Sequence, residues 1–209
     1  MQEASKGWWK VGRKAKKGWV TMTKERTYLE AFREIVQVVS GSLDVQNVLQ
    51  AMVKTVPKVL KAKACAVRLL DPKGRTLELV ASYGLSDAYI HKGPVDADQS
   101  LAECLQGHTV IIDDAATDPR AQYGEAAKKE GIVGICSVPL KVKGRVIGVL
   151  RIYTEEPKRF QEEDLAFVEA LGELGGIAIE NARLYERLKK DYEEVMSDVF
   201  RFVGYRRSL

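Results

Sequence analysis

Histidine is nearly missing from this chain: His91 and His108 are the only two among 209 residues. No pair of cysteines has CxxC spacing either, so no cluster has the spacing of a zinc site. Cys65, Cys104 and Cys136 form an odd, scattered set, which argues against a disulfide framework and for a reducing, cytoplasmic setting. No apolar run approaches the roughly 18 residues needed to span a bilayer, and none has the form of a signal peptide. Phosphate-loop and dinucleotide fingerprints are absent. Ser137 sits in a strand pattern rather than a nucleophile elbow, and solvation accounts for the loop pair Asp113-Asp114. No helix-turn-helix pattern is visible, and no nucleic-acid partner is expected.

What is present suits one globular domain with extensions: 45% hydrophobic residues, 30% charged, and a net charge of +4. The charge is uneven. Residues 1–26 hold eight Lys or Arg against Glu3 and Glu25, or +6, while the other 183 residues hold 25 basic and 27 acidic side chains, or −2. Residues 1–23 are expected to be a basic, disordered leader; a basic-aromatic patch for an anionic membrane or nucleic acid is the alternative, given Trp8, Trp9 and Trp19. Residues 24–160 are expected to form the core with its N-terminal helices, 161–196 a long C-terminal helix, and 197–209 a frayed tail.

The chain is organised around GICSVPLKVKGRVIGVLRIY, residues 134–153. Lys143-Gly144 marks a two-residue hairpin turn, with Gly supplying positive φ. Simple pairing sets Val142 opposite Arg145, Leu140 opposite Ile147, Val138 opposite Val149 and Cys136 opposite Arg151. Pro139 lacks an amide donor, which predicts an edge or a break there, and Gly148 predicts close approach of another element. Upstream, helical spacing of apolar residues predicts helices over 24–40 and 45–60, the second capped by Asp44 and kinked or shortened by Pro57. A hairpin follows, 64–70 and 76–83, about the turn DPKGR. Setting Leu70 opposite Thr76 groups Cys65, Val67 and Leu69 with Leu77, Leu79 and Ala81 on an apolar face, leaving Ala66, Arg68, Glu78, Val80 and Ser82 on a polar one. Residues 84–99 read as loop, 101–106 as a short helix, 110–112 as a strand, and 113–132 as a loop with a helix of about ten residues. Phe160 with Glu162, Glu163 and Asp164 starts the long helix.

The segments SVPL–turn–GRVIGVLRIY, Phe160 with Glu163-Asp164, AIENARLYERL (178–188), LLDPKGRTLELVASYGLS (69–86) and TVIIDDAATDPRA (109–121) stand in an order that resembles a GAF domain over residues 28–190. The resemblance implies an α+β, PAS-like fold. It would have a six-stranded antiparallel sheet, long terminal helices on one face, and short helices and loops covering a small-molecule pocket on the other. Known members bind cyclic nucleotides, linear tetrapyrroles, haem, metal centres or small metabolites, and many only dimerise and transmit signals. Relatives that reduce free methionine sulfoxide carry cysteines in Gly-Val-Cys-Gly and His-Ile-Ala-Cys runs. Here those regions read QSLAECLQG and DPRAQYGEAAKKEG, with only Cys104 nearby. The cyclic-nucleotide signature does not occur in order, and Asp118-Pro119-Arg120 only echoes the tetrapyrrole motif.

The expected function is therefore a non-catalytic sensory or regulatory module that names no cofactor. It would dimerise through Leu29, Phe32, Val36, Ala178, Ala182, Tyr185, Leu188 and Tyr192, with coiled-coil character, and pass its signal to a protein partner. The alternatives are a pure interaction module with a filled pocket and, more remotely, the reductase. The ligand pocket, if present, is expected to involve Arg68, Glu78, Val80, Ser82, Cys136, Val138, Arg151, Tyr153 and Tyr123, with Tyr83 at its rim. Two guanidinium groups facing one cleft would favour a carboxylate or phosphate, unless Glu78 neutralises Arg68 across the strands.

Overall fold

The computed structural model describes residues 8–42, 44–71, 73 and 76–206, with side chains over 24–198 except 97–100. Six strands form one antiparallel sheet: β1 (Ala64–Leu70), β2 (Thr76–Tyr83), β3 (Val95–Asp96), β4 (Val110–Ile112), β5 (Gly134–Val142) and β6 (Arg145–Thr154), in the order β3-β2-β1-β6-β5-β4. Helices α1 (Trp8–Gly41), α2 (Val45–Leu60) and α6 (Glu162–Arg206) cover one face. The short helices α3 (Asp87–Ile90), α4 (Ala97–Leu105) and α5 (Gly124–Glu130) lie over the other.

Each long helix has a local reason to form. Asp44 caps α2 by accepting from the Gln46 amide at 2.9 Å. Val48, Leu49, Met52, Val53, Val56 and Leu60 bury one face, and the helix continues past Pro57 to a left-handed C-cap at Lys61. Asp164 opens α6: its Oδ2 accepts the Gln161 amide at 2.8 Å, the reciprocal half of a capping box. Its Oδ1 takes a short hydrogen bond from the Tyr28 hydroxyl and meets Lys24 Nζ at 2.8 Å. Burial raises the carboxyl's pKa, but these two partners outweigh it and hold the group below its ordinary range. Tyr28 also stacks on Phe167, with ring centroids 4.8 Å apart. Together these contacts fasten α1 to the start of α6.

Two helix boundaries differ from expectation. α1 begins at Trp8, within the segment expected to be an irregular leader, because extending a formed helix costs far less than nucleating one. For the same reason α6 runs to Arg206, through the residues expected to fray. The first seven residues of the leader lie outside the described residues. At 45 residues α6 is about 67 Å long at ~1.5 Å per residue.

The central turn is as expected: Lys143 and Gly144 both have positive φ, +49° and +79°. The register is not. An irregularity between Leu140 and Lys141 moves every later pair by one, giving Leu140↔Gly148, Val138↔Leu150, Cys136↔Ile152 and Ser137↔Arg151. A second falls in the first hairpin. Pairing runs Val67↔Ala81, then Arg68↔Leu79, so Val80 is the extra residue of a bulge. Leu70 consequently faces Leu77 rather than Thr76, which instead exchanges bonds with Asp71. Pro72, Gly74 and Arg75 of that turn lie outside the described residues. Pro139 is in an interior strand, but β4 pairs only with Ile135–Ser137 and ends before reaching it.

Glycines set two contacts. A Cβ on Gly148 would stand 2.4 Å from the Arg68 carbonyl and 2.7 Å from Leu69 Cδ2, so the β1–β6 seam closes only around glycine. A Cβ on Gly176 would meet the Lys141 carbonyl at 2.3 Å, where α6 lies against β5. Gly148→Ala is expected to lower the unfolding free energy by about 1–3 kcal/mol through overpacking. Gly41→Ala, where a Cβ meets nothing within 4 Å, should stabilise by about 0.5–1 kcal/mol through helix propensity. Denaturant titration of both variants checks this; equal midpoints would contradict it.

Candidate functional site

The β1–β6 ladder fixes which side chains share a face. Ala64↔Tyr153, Ala66↔Arg151 and Arg68↔Val149 are partners, so Arg68, Arg151 and Tyr153 all point away from the long helices. Arg68 and Arg151 are only 3% and 4% exposed. Arg68 donates from Nη1 to the Leu77 carbonyl at 3.1 Å. The Nε of each arginine, and the Tyr153 hydroxyl, are buried with no hydrogen-bond partner. Such atoms are uncommon in folded proteins because each costs desolvation that nothing offsets.

A third cation closes over them. Ser86 caps α3 through the Tyr89 amide, and its hydroxyl and amide both bond Glu130 of α5. This brings Lys92 over the sheet, its Nζ 3.6 Å from the Tyr89 ring centroid and 3.0 Å from the Tyr89 carbonyl. Tyr89 packs edge-on to Tyr153 at 5.9 Å, and the Arg151 guanidinium lies 5.8 Å from the Tyr153 ring centroid. Burial, reinforced by the charges of Arg68 and Arg151, lowers the Lys92 ammonium to about 7. Gln122 and Tyr123 complete the cover. Tyr123 donates its hydroxyl to the Pro94 carbonyl at 2.7 Å, and Gln122 Oε1 accepts the Asp96 amide at 2.9 Å. The space enclosed with Lys92 and Arg151 is about 10 Å³, room for about one water.

The expected pocket residues divide between the two faces. Arg68, Arg151 and Tyr153 share the covered face, Ser82 joins it opposite Ala66, and Tyr123 meets it from the lid. Cys136 and Val138 belong to the helix-side core, Val80 packs against that core, and Tyr83 faces the same way opposite Cys65. Glu78 is exposed and pairs with Leu69 on that side, so it cannot neutralise Arg68. The two bulges cause these exchanges, since a one-residue slip turns every following side chain over. Leu77 and Leu79 pass to the arginine face for the same reason. Lys92 and Tyr89 were missed: a lysine in an apparent loop reads as solvated, and no spacing in the sequence marks it otherwise.

Other candidate chemistry finds little support. All three cysteines are free and buried. Burial raises each thiol, Cys104 and Cys136 to about 12, away from the thiolate character that reactivity needs. Among the described residues no group of three or more His, Cys, Asp or Glu is placed to hold a metal ion. None of their helices is long and apolar enough to cross a membrane.

Sheet order, helix layering and a covered inner face define an α+β module of PAS-like layout. Residues 42–180 match the family described as GAF domain, and the chain belongs to that family, which supports a general sensory or regulatory role. It is similar to a methyl sulfide methyltransferase-associated sensor of Methanosarcina acetivorans, with 29% identity over 79% of this chain and 17% of that protein. It is also similar to a Nif-specific regulatory protein of Azospirillum brasilense, with 26% identity over 80% of this chain and 28% of that protein. The chain thus spans less than a third of the curated relatives it matches. Among solved structures it resembles the GAF domain of a phosphoenolpyruvate-protein phosphotransferase from Coxiella burnetii, with a TM-score of 0.69, 23% identity, and coverage of 78% of this chain and 98% of that one.

Lys92 has a testable energetic signature. Its native pKa, about 7, lies below the unfolded value of about 10.4. Between these values the unfolded chain holds more protons, so stability rises with pH; below about 7 the penalty is full. Lys92→Met should therefore be more stable than wild type by a margin that is largest near about pH 6 and shrinks toward about pH 10. Paired denaturation curves across that range check this, and a margin independent of pH would contradict it.

Proposed function

We propose that this module senses a small anionic ligand on the covered sheet face and relays its occupancy through paired terminal helices to a signalling partner. The observation that carries the reading is the group of Arg68, Arg151 and Lys92, gathered in a buried site among aromatic rings. Like charges gathered away from water are costly, and clusters of this kind mark functional sites more than stabilising ones. A ligand that lowers this cost differs in its affinity for arrangements in which the cations are and are not accessible. Such a difference is what a population shift requires.

Dimerisation rests on α6. Beyond Ile179 the helix leaves the domain core, yet Tyr185, Leu188, Tyr192 and Val195 remain 50–68% exposed. Their spacing of three, four and three residues is that of a coiled-coil seam. On α1, Leu29 is likewise 60% exposed. Of the other residues assigned to the interface, Ala178 is buried in the chain's own core and Phe32 packs against it, while Val36 and Ala182 are half-buried. The proposed seam therefore keeps Tyr185, Leu188 and Tyr192 and adds Val195. The interaction-module reading keeps one observation in its favour, the water-sized space beneath the lid.

Light scattering should give a dimer for the wild type and a monomer for Leu188→Glu, because a charge at the seam is desolvated without a partner. A wild-type monomer at high micromolar concentration, or a variant of unchanged mass, would contradict the seam. Native mass spectrometry of the purified chain tests the other half, with a small-molecule adduct on wild type that Arg151→Met lacks.

A further inference from the structure

We propose that the group held by Arg68, Arg151 and Lys92 is a phosphoryl dianion, one compact tetrahedral group bearing two charges. The inference rests on the ligand-sensing reading above and specifies its chemistry. The unpartnered atoms are donors: two guanidinium N–H groups and one phenol hydroxyl. A ligand must therefore bring acceptors, and several of them within a small radius. Glu130, the acidic residue whose charge acts on Lys92, has its carboxylate already engaged by the Ser86 amide and hydroxyl. Among the described residues no side-chain counter-charge is bonded to either arginine.

Charge and size then select the class. Two permanent cations and a third that titrates near neutrality call for about two negative charges. A monocarboxylate supplies one. A dicarboxylate supplies two, but on separate carbons along a chain rather than on one centre. A phosphoryl group concentrates about 1.5–2 charges and three acceptor oxygens on one atom. The guanidinium fork matches such oxygens in pairs, and the ammonium acts as a point charge beside them. Gly93, at φ +129° beside Pro94, lies next to Lys92 where the covering segment must yield to admit the group.

The source is either free inorganic phosphate or the terminal phosphate of a small metabolite, and the test separates them. Calorimetric titration of the full chain uses inorganic phosphate, methyl phosphate, malonate and acetate. Saturable binding of inorganic phosphate is expected, weakened at least tenfold in both Arg68→Met and Arg151→Met. Binding of methyl phosphate as well assigns a phosphorylated metabolite; its exclusion assigns the free ion. Affinity should fall on the acid side as the dianion protonates, below about pH 6 for methyl phosphate and about one unit higher for inorganic phosphate. It should also fall above neutrality as Lys92 discharges, and Lys92→Gln, which supplies a further variant if an arginine variant does not fold, should lose this alkaline limb. Malonate binding through the same arginines without phosphate binding would overturn the phosphoryl assignment and leave the sensor standing. Phosphate binding undiminished in all three variants would overturn the site. No binding of any of the four anions would overturn both this inference and the anion-sensing reading.

Discussion

The antiparallel ladder between β1 and β6 is the constraint on which the rest depends. It joins the two hairpins, closes over Gly148, and decides which face each following side chain takes. With Ala66 opposite Arg151 and Arg68 opposite Val149, both arginines leave the helix side together. Shifting that seam by one residue would turn one strand over relative to the other, driving either Arg68 or Arg151 into the aliphatic core against α2 and α6 and either Val67 or Leu150 out of it. The fold and the cationic cluster are therefore consequences of one register.

The two faces of the sheet are built on different principles. On the helix side, Val, Leu, Ile, Cys and Met side chains fill the interior and little is left to satisfy. At the joint of α1 and α6 even the buried charge is provided for, since Asp164 has Tyr28, Lys24 and a backbone amide as partners. On the other side the cations are crowded, the aromatic rings supply only weak compensation, and three polar atoms are unpartnered. A chain that satisfies Asp164 so fully and leaves Arg68 and Arg151 so bare concentrates its strain at one place, as functional sites do.

Much of this architecture was legible in the sequence. The Lys143-Gly144 turn, the apolar stripe of α2, the capping carboxylates of α6 and the close approach at Gly148 follow from local chemistry, and the GAF resemblance supplied the six-stranded antiparallel sheet with helices on both faces. The two bulges were not legible. Neither Val80 nor the Leu140-Lys141 step differs in type from its neighbours, so simple pairing set Glu78 beside Arg68 and Cys136 beside Arg151. Lys92 was hidden for another reason. Its burial arises from α3 and α5 meeting through Ser86 and Glu130, a contact across 44 residues that no local pattern encodes. The two-residue strand β3 is too short to show periodicity at all.

The central claim is that the arginines are held at the expense of stability, for binding. Equilibrium unfolding of Arg151→Met in anion-free buffer tests it most directly. A buried charge that lacks a counter-ion can be replaced by an apolar side chain of similar length at no loss, or with a gain of about 1–4 kcal/mol. The account predicts a variant at least as stable as wild type. A loss of about 3–5 kcal/mol, the penalty for breaking a buried pair, would show that Arg151 serves the fold and not a ligand.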